Sequence, residues 1–222
     1  SGCGNELASE RSMVRKMIVD SVIFWASEYH IDGFRFDLMG LHDITTMTKI
    51  REELNKIDES IIIYGEGWTG GDSPLLDSEK STKLNTIKYG DLQIAAFSDE
   101  MRDGIRGHVF ENSVPGFVNG YKGVEEMIKF GIVASVKHDQ IKYGINPSPY
   151  EGYSVTFWAN KPYQTINYAS AHDNLTLWDK LQTTNKHQKE DDLKAMNKMS
   201  AAIVLTSQGI PFFQGGEEIL RT

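Results

Sequence analysis

The chain of 222 residues has a single cysteine, Cys3, which excludes an internal disulfide framework and any cysteine metal cluster. No stretch approaches the ~20 consecutive apolar residues of a membrane span. Positive charge is scarce: 23 lysines and arginines face 31 acids, for a formal net charge of -8. That balance argues against nucleic acid or an anionic membrane as partner and is compatible with a neutral one. Internal repeats and low-complexity linkers are absent, and none of His42, His108, His138 and His187 has metal-ligand spacing, so these are expected at the surface or in structural roles. The start, Ser1-Gly2-Cys3-Gly4-Asn5-Glu6, lacks the basic and apolar regions of a signal peptide, an absence without weight in a piece of a longer polypeptide. The compartment stays open.

What the chain does have is organised around Asp32-Gly33-Phe34-Arg35-Phe36-Asp37-Leu38-Met39-Gly40. As a strand it alternates with period two, putting Gly33, Arg35 and Asp37 on one face and two phenylalanines on the other. The phenylalanine side implies a covering layer of helices. The opposite side places a fixed cation beside a carboxylate in a largely enclosed position, where a charge must be paired or working. A buried structural ion pair would satisfy the same pattern.

The remaining elements follow in alternation. Residues 10–29 have the helical spacing Val14, Ile18, Val22 and Trp25, with Ser9 as cap. A second helix over 44–57 carries Met47, Ile50 and Leu54 behind a capping Asp43. Ile61-Ile62-Ile63-Tyr64-Gly65-Glu66 reads as a strand buried on both faces. Residues 69–88 read as a long polar loop, 92–97 as a short strand, and 110–153 as an irregular insertion with one helix near 124–130. A strand over 164–169 meets Ser170-Ala171-His172-Asp173-Asn174, and a helix over 191–207 precedes a last strand. The alternation predicts an α/β fold with a parallel sheet and outer helices. Five strands are expected, whereas a closed barrel needs eight and about 250 residues.

Three of those strands end on an acid: Asp37, Glu66 and Asp173. Parallel strands of a barrel bring such ends to one rim. Retaining glycoside hydrolysis needs a nucleophilic carboxylate and a second carboxyl ~5–5.5 Å away that protonates the leaving oxygen. Neighbouring strands ~4.8 Å apart can present that pair. In this scheme Arg35 keeps Asp37 ionised, and Glu66 beside Trp68 occupies a drier setting that favours its protonated form. His172 donates to a sugar hydroxyl, and Asp173 faces an oxocarbenium-like centre. Each acid taken singly is equally explained as a helix cap; the three together are not.

Asp32–Gly40, Gly65-Glu66-Gly67-Trp68 and Ser170-Ala171-His172-Asp173-Asn174 resemble three of the four signature regions of the α-amylase superfamily of glycoside hydrolases, in the family's order. The resemblance implies Asp37 as nucleophile, Glu66 as general acid/base and Asp173 as transition-state stabiliser. Arg35 and His172 would be the supporting residues. Trp68, beside Glu66, is a candidate for stacking on a glucose ring, since sugars present apolar faces to aromatics, and Asn174 is a further candidate to bind substrate. Ser1–Arg11, Phe97–Gly107 and Gln214-Gly215-Gly216-Glu217-Glu218 are similar to the type I pullulanase group, and Leu38-Met39-Gly40 stands where α-amylases carry a Lys-His pair. The first signature region is not found in these residues. The whole chain, 1–222, therefore looks like part of one catalytic domain. It would be the second half, about strands 4 to 8, of a (β/α)8 TIM barrel whose strands 1–3 and C-terminal β-sandwich lie outside it.

The resemblance implies a debranching hydrolase of α-1,6-glucosidic bonds in pullulan, glycogen or limit dextrin. Two alternatives are an α-1,4-acting amylase or neopullulanase, and a non-catalytic α-glucan-binding relative. No cofactor is required by this chemistry. Calcium, which many relatives bind, is left open, although no oxygen-rich loop marks a site. The isolated chain is expected to be inactive and to self-associate through open sheet edges. Trp158 could contact sugar or fill the core, and Trp178 is expected in the core.

Overall fold

The computed structural model describes residues 4–145 and 154–222; Cys3 and the end of the expected 110–153 insertion lie outside these. Among the described residues five strands, each in a parallel pairing, alternate with helices in an α/β fold. The residues fall into two compact units, Ser1–Phe97 with Trp158–Gln164, and Ser98–Phe157 with Thr165–Thr222.

The first unit contains α1 (Ser12–Tyr29), β1 (Gly33–Phe36), α2 (Ile44–Leu54), β2 (Ile62–Gly65) and β3 (Ala95–Phe97). β2 lies between β1 and β3, with Arg35 beside Tyr64, Phe36 beside Gly65, and Tyr64 beside Ala95. α2 follows its sequence pattern: Asp43 caps it by accepting from the Thr46 amide at 2.9 Å, and Met47, Ile50 and Leu54 are buried. It stops at Leu54 rather than at residue 57, and Ile57 is exposed.

Three expectations need correction here. Ser9 does not cap α1, whose N-cap is Arg11 without a side-chain bond. The Ser9 hydroxyl instead donates to Asp43 Oδ2 at 2.8 Å and accepts from the Asp43 amide at 2.9 Å. A buried carboxylate needs donors more than an exposed helix end needs a cap. The buried face of α1 is Val19, Val22 and Ala26, while Trp25 turns outward with Phe24 and Tyr29, the three rings packing at centroid distances of 4.6–5.7 Å. β2 is not buried on both faces: Ile61 and Ile63 are covered, but Ile62, on the other side of the pleat, is 44% exposed.

The second unit contains α3 (Asp99–Arg106), α4 (Glu125–Ile132), β4 (Thr165–Asn167), α5 (Leu177–Thr184), α6 (Glu190–Thr206) and β5 (Ile210–Pro211), with β4 beside β5. Met101, Ile105, Ile128, Trp178, Leu181, Leu193 and Val204 share one apolar core. α3 and α5 are additional to the expected helices, and each carries a start signal. Ser98 accepts from the Met101 amide at 3.3 Å, and Thr176 from the Asp179 amide at 3.1 Å. β4 is shorter than the expected 164–169. Trp178 is in the core as expected, and Trp158, in the first unit, is buried too and therefore fills the interior there. Among the described residues no helix is long and apolar enough to cross a membrane.

Candidate active site

In the first unit the chain leaves β1 at Phe36 and β2 at Gly65, so Asp37 and Glu66 each stand one residue past a strand's carboxyl end. Parallel register makes those ends neighbours, Phe36 opposite Gly65. Arg35, in β1, holds both acids. Its Nη2 lies 2.9 Å from Glu66 Oε1, and its Nη1 donates to Asp37 Oδ1. Burial would lower the Arg35 pKa, but the Asp37 hydrogen bond and the charges of Glu66 and Asp37 raise it above its ordinary value. The group is a permanent cation with a planar fork, able to hold two carboxylates in one orientation.

The two acids differ in exposure. The Asp37 side chain is 71% exposed, so it is not in the enclosed place the strand pattern suggested; it sits on a turn that has already left the sheet. Glu66 is 7% exposed, and its expected dry setting is a donor-lined one. Besides Arg35, the Leu38 amide donates to Glu66 Oε2 at 2.6 Å. To aim that amide, Leu38 adopts the left-handed conformation, φ 41° and ψ 50°, which costs a branched residue on the order of 1–3 kcal/mol. An accessible carboxylate beside a buried, oriented one can divide the roles of nucleophile and proton donor between them.

Close backbone crossings build this pair. The Gly40 amide lies 3.1 Å from the carbonyls of both Glu66 and Trp68, and a Cβ on Gly40 would come within 2.6 Å of the Trp68 carbonyl carbon and oxygen. A Cβ on Gly65 would meet the Phe36 carbonyl at 2.6 Å, and one on Gly67 would meet Lys83 at 2.7 Å. The Lys83 amide bonds the Gly67 carbonyl at 2.9 Å and the Ser81 amide bonds the His42 carbonyl at 2.9 Å, so the expected 69–88 loop is fastened beside Glu66 and to the chain that follows the Asp37 turn, and it includes a 3-10 segment at Lys83–Tyr89. Trp68 is half-buried. Leu38 and Lys83 were not foreseen as contributors; the two glycines around Glu66 were the available sign that backbone approaches closely there.

In the second unit His172, Asp173 and Asn174 form an exposed turn beyond β4, with His172 Nε2 3.6 Å from Asp173 Oδ1 and Asn174 in the left-handed conformation, φ 61°. The acid lies six residues past the last residue of β4, not at the strand's end. Its position therefore depends on loop contacts. Among the described residues no group of three or more His, Cys, Asp and Glu is placed to hold a metal ion.

No family model matches the chain. It is 35% identical over 222 residues to the pullulanase of Bacillus subtilis strain 168, covering 100% of this chain and 29% of that protein. The solved structure of the Paenibacillus barengoltzii pullulanase in complex with maltohexaose and alpha-cyclodextrin matches it with a TM-score of 0.87 at 42% identity, over 100% of this chain and 32% of that one. Along its whole length the chain is similar to pullulanases. Pullulanase 1, chloroplastic, of Arabidopsis thaliana is 31% identical over 258 residues, covering 100% of this chain and 26% of the relative. The chain thus spans less than a third of the length of these pullulanases.

Proposed function

We propose that the protein carrying this segment is a retaining debranching glycoside hydrolase that cleaves α-1,6-glucosidic bonds in pullulan and related α-glucans. The observation that carries the proposal is the Arg35 clamp, which holds an exposed Asp37 and a buried Glu66 at adjacent strand ends. Asp37 attacks the anomeric carbon as the carboxyl proton of Glu66 passes to the leaving glycosidic oxygen, giving a glycosyl ester on Asp37. Glu66, now a carboxylate, takes a proton from water; the oxygen of that water attacks the anomeric carbon and frees Asp37. Asp173 stabilises the positive charge that develops on the sugar, and His172 donates to a ring hydroxyl. Trp68 and Asn174 contact the glucan. These steps require no cofactor, and calcium binding is left open. The five strands are assigned as strands 4 to 8 of a (β/α)8 barrel in one catalytic domain, the remainder lying outside the chain, consistent with the fraction of the relatives it spans.

The test is product release by the full-length protein offered pullulan and amylose in parallel. Maltotriose from pullulan with amylose untouched supports the proposal, and Asp37→Asn should then abolish turnover while glucan binding persists. Cleavage of amylose would move the protein to the α-1,4-acting amylases. Release from neither substrate would leave a glucan-binding role.

We further infer that the isolated chain is inactive and self-associates. Among the described residues of its unit, strand β1 is paired on one side only, and Phe24, Trp25 and Tyr29 stand exposed on α1.

A further inference from the structure

Glu217 and Arg106 are buried, charged and unused by the double displacement. Each touches one flank of the exposed turn at residues 171–174. On the upstream side the Ser170 hydroxyl, fully buried, donates to Glu217 Oε2 at 2.9 Å and lies 3.2 Å from Gln214 Oε1. On the downstream side Arg106 Nη1 donates to the Leu175 carbonyl at 2.6 Å. Glu217 is itself held, its carbonyl accepting from Asn197 Nδ2 of α6 at 3.3 Å and its amide donating to the Gln214 carbonyl at 3.0 Å. The last contact of β4 before this turn is the Asn167 carbonyl, which accepts from the Phe212 amide at 2.9 Å. Between these two flanks Ala171 is half-buried and His172, Asp173 and Asn174 are exposed.

We propose that Glu217 and Arg106 are a pair of positioning residues that pin the two ends of the His172–Asp173 turn and so set where the stabilising carboxylate stands. Glu217 Oε1 and Arg106 Nε are both buried and make no hydrogen bond among the described residues, so the placement of these groups is not explained by satisfied pairing alone. Burial, reinforced by the neighbouring Arg102, pushes Arg106 down to about 10, and the charge of Glu217 acts against that shift. Burial raises the Glu217 pKa, and the Ser170 hydrogen bond and the charge of Arg106 act against that rise. Each group thus favours the ionised form of the other, consistent with a pair rather than two isolated charges. A loop carrying a charge-stabilising acid gains nothing from general rigidity elsewhere; it needs both of its ends held, and an error of ~1 Å in such a group can cost ~10²-fold in rate.

The inference rests on the roles proposed above for Asp173 and His172. Its test is pullulan hydrolysis by full-length Glu217→Ala, Glu217→Gln and Ser170→Ala, alongside hydrogen exchange of the amides at 171–174. Glu217→Ala should lower kcat about 30- to 100-fold with KM changed less than about threefold, because the turn shifts while the rest of the glucan contacts stay. Glu217→Gln keeps an oxygen that accepts from Ser170 and should recover most of the rate. A folded Glu217→Ala enzyme with wild-type kcat would overturn the inference, as would equal losses in the alanine and glutamine variants. Should Glu217→Ala fail to fold, Ser170→Ala decides: it must lose rate, and full activity would overturn the inference. If the wild type itself releases nothing from pullulan, the proposed function has failed separately. Exchange then decides, since Glu217→Ala must speed exchange at 171–174 at least about tenfold while the α6 amides stay unchanged.

Discussion

Alanine in place of Gly40 tests whether the backbone crossing beneath the two acids is what builds the site. The added Cβ would sit 2.6 Å from the carbonyl carbon and oxygen of Trp68 and 3.2 Å from the Thr69 nitrogen. These are backbone atoms, so no side-chain rotation relieves the clash. To reach ordinary contact at 3.4 Å the two segments must separate by about 0.8 Å. Overpacking of this kind costs about 1–3 kcal/mol. The separation also stretches the approach of the Gly40 amide to the Glu66 and Trp68 carbonyls, now 3.1 Å each, at a net cost of about 1 kcal/mol. The expected destabilisation is therefore about 2–4 kcal/mol, which moves the urea midpoint down by roughly 1 M at a slope of about 2–3 kcal/mol/M. Because the Glu66 carbonyl is one of the displaced groups, full-length Gly40→Ala should also lose about 10²-fold in kcat on pullulan. An unchanged midpoint together with full activity would refute the argument, since it would mean the crossing tolerates a methyl group and does not determine where Glu66 stands.

Arg35→Lys replaces a planar fork with a point charge that cannot hold Asp37 and Glu66 in fixed directions together; under the proposed function, kcat/KM of the full-length protein on pullulan should fall at least about 10²-fold, and a loss under threefold would contradict the clamp. Asp43→Ala removes the α2 cap, the Ser9 bonds and the 3.1 Å ion pair with Arg15, for a loss of about 2–3 kcal/mol in chemical unfolding. Burial alone would raise the Asp43 pKa, but hydrogen bonds from Thr46 and Ser9 and the charge of Arg15 hold it below 3.8. The unfolded chain therefore takes up this proton first as pH falls. The contribution is complete above the ordinary value and fades as pH drops through the lower folded one, so the stability gap between wild type and Asp43→Asn should narrow below about pH 4 and stay constant above about pH 5. The 222-residue chain alone should sediment as dimers or larger species and release nothing from pullulan; a monodisperse, active monomer would contradict the open-edge argument.

Much of this molecule follows from local pattern. The spacing of Met47, Ile50 and Leu54 behind Asp43 determined α2, and the glycine- and histidine-marked acids pointed to the proposed chemistry. Those features are legible because helix periodicity, capping and residue type are written within a few positions of one another. What the sequence left undecided depends on partners distant along the chain. Ser9 stands where a cap would, yet it serves a buried carboxylate 34 positions away. Trp25 fits the apolar spacing of α1, but its ring joins Phe24 and Tyr29 on the exposed side. The bond from the Leu38 amide to Glu66 spans 28 positions and needs a left-handed backbone that leucine does not advertise. The tie from Glu217 to Ser170 spans 47. Residue types and their order determined which groups could act; only tertiary structure decided how they are held, because a buried donor or acceptor takes whichever partner the fold brings within hydrogen-bonding distance.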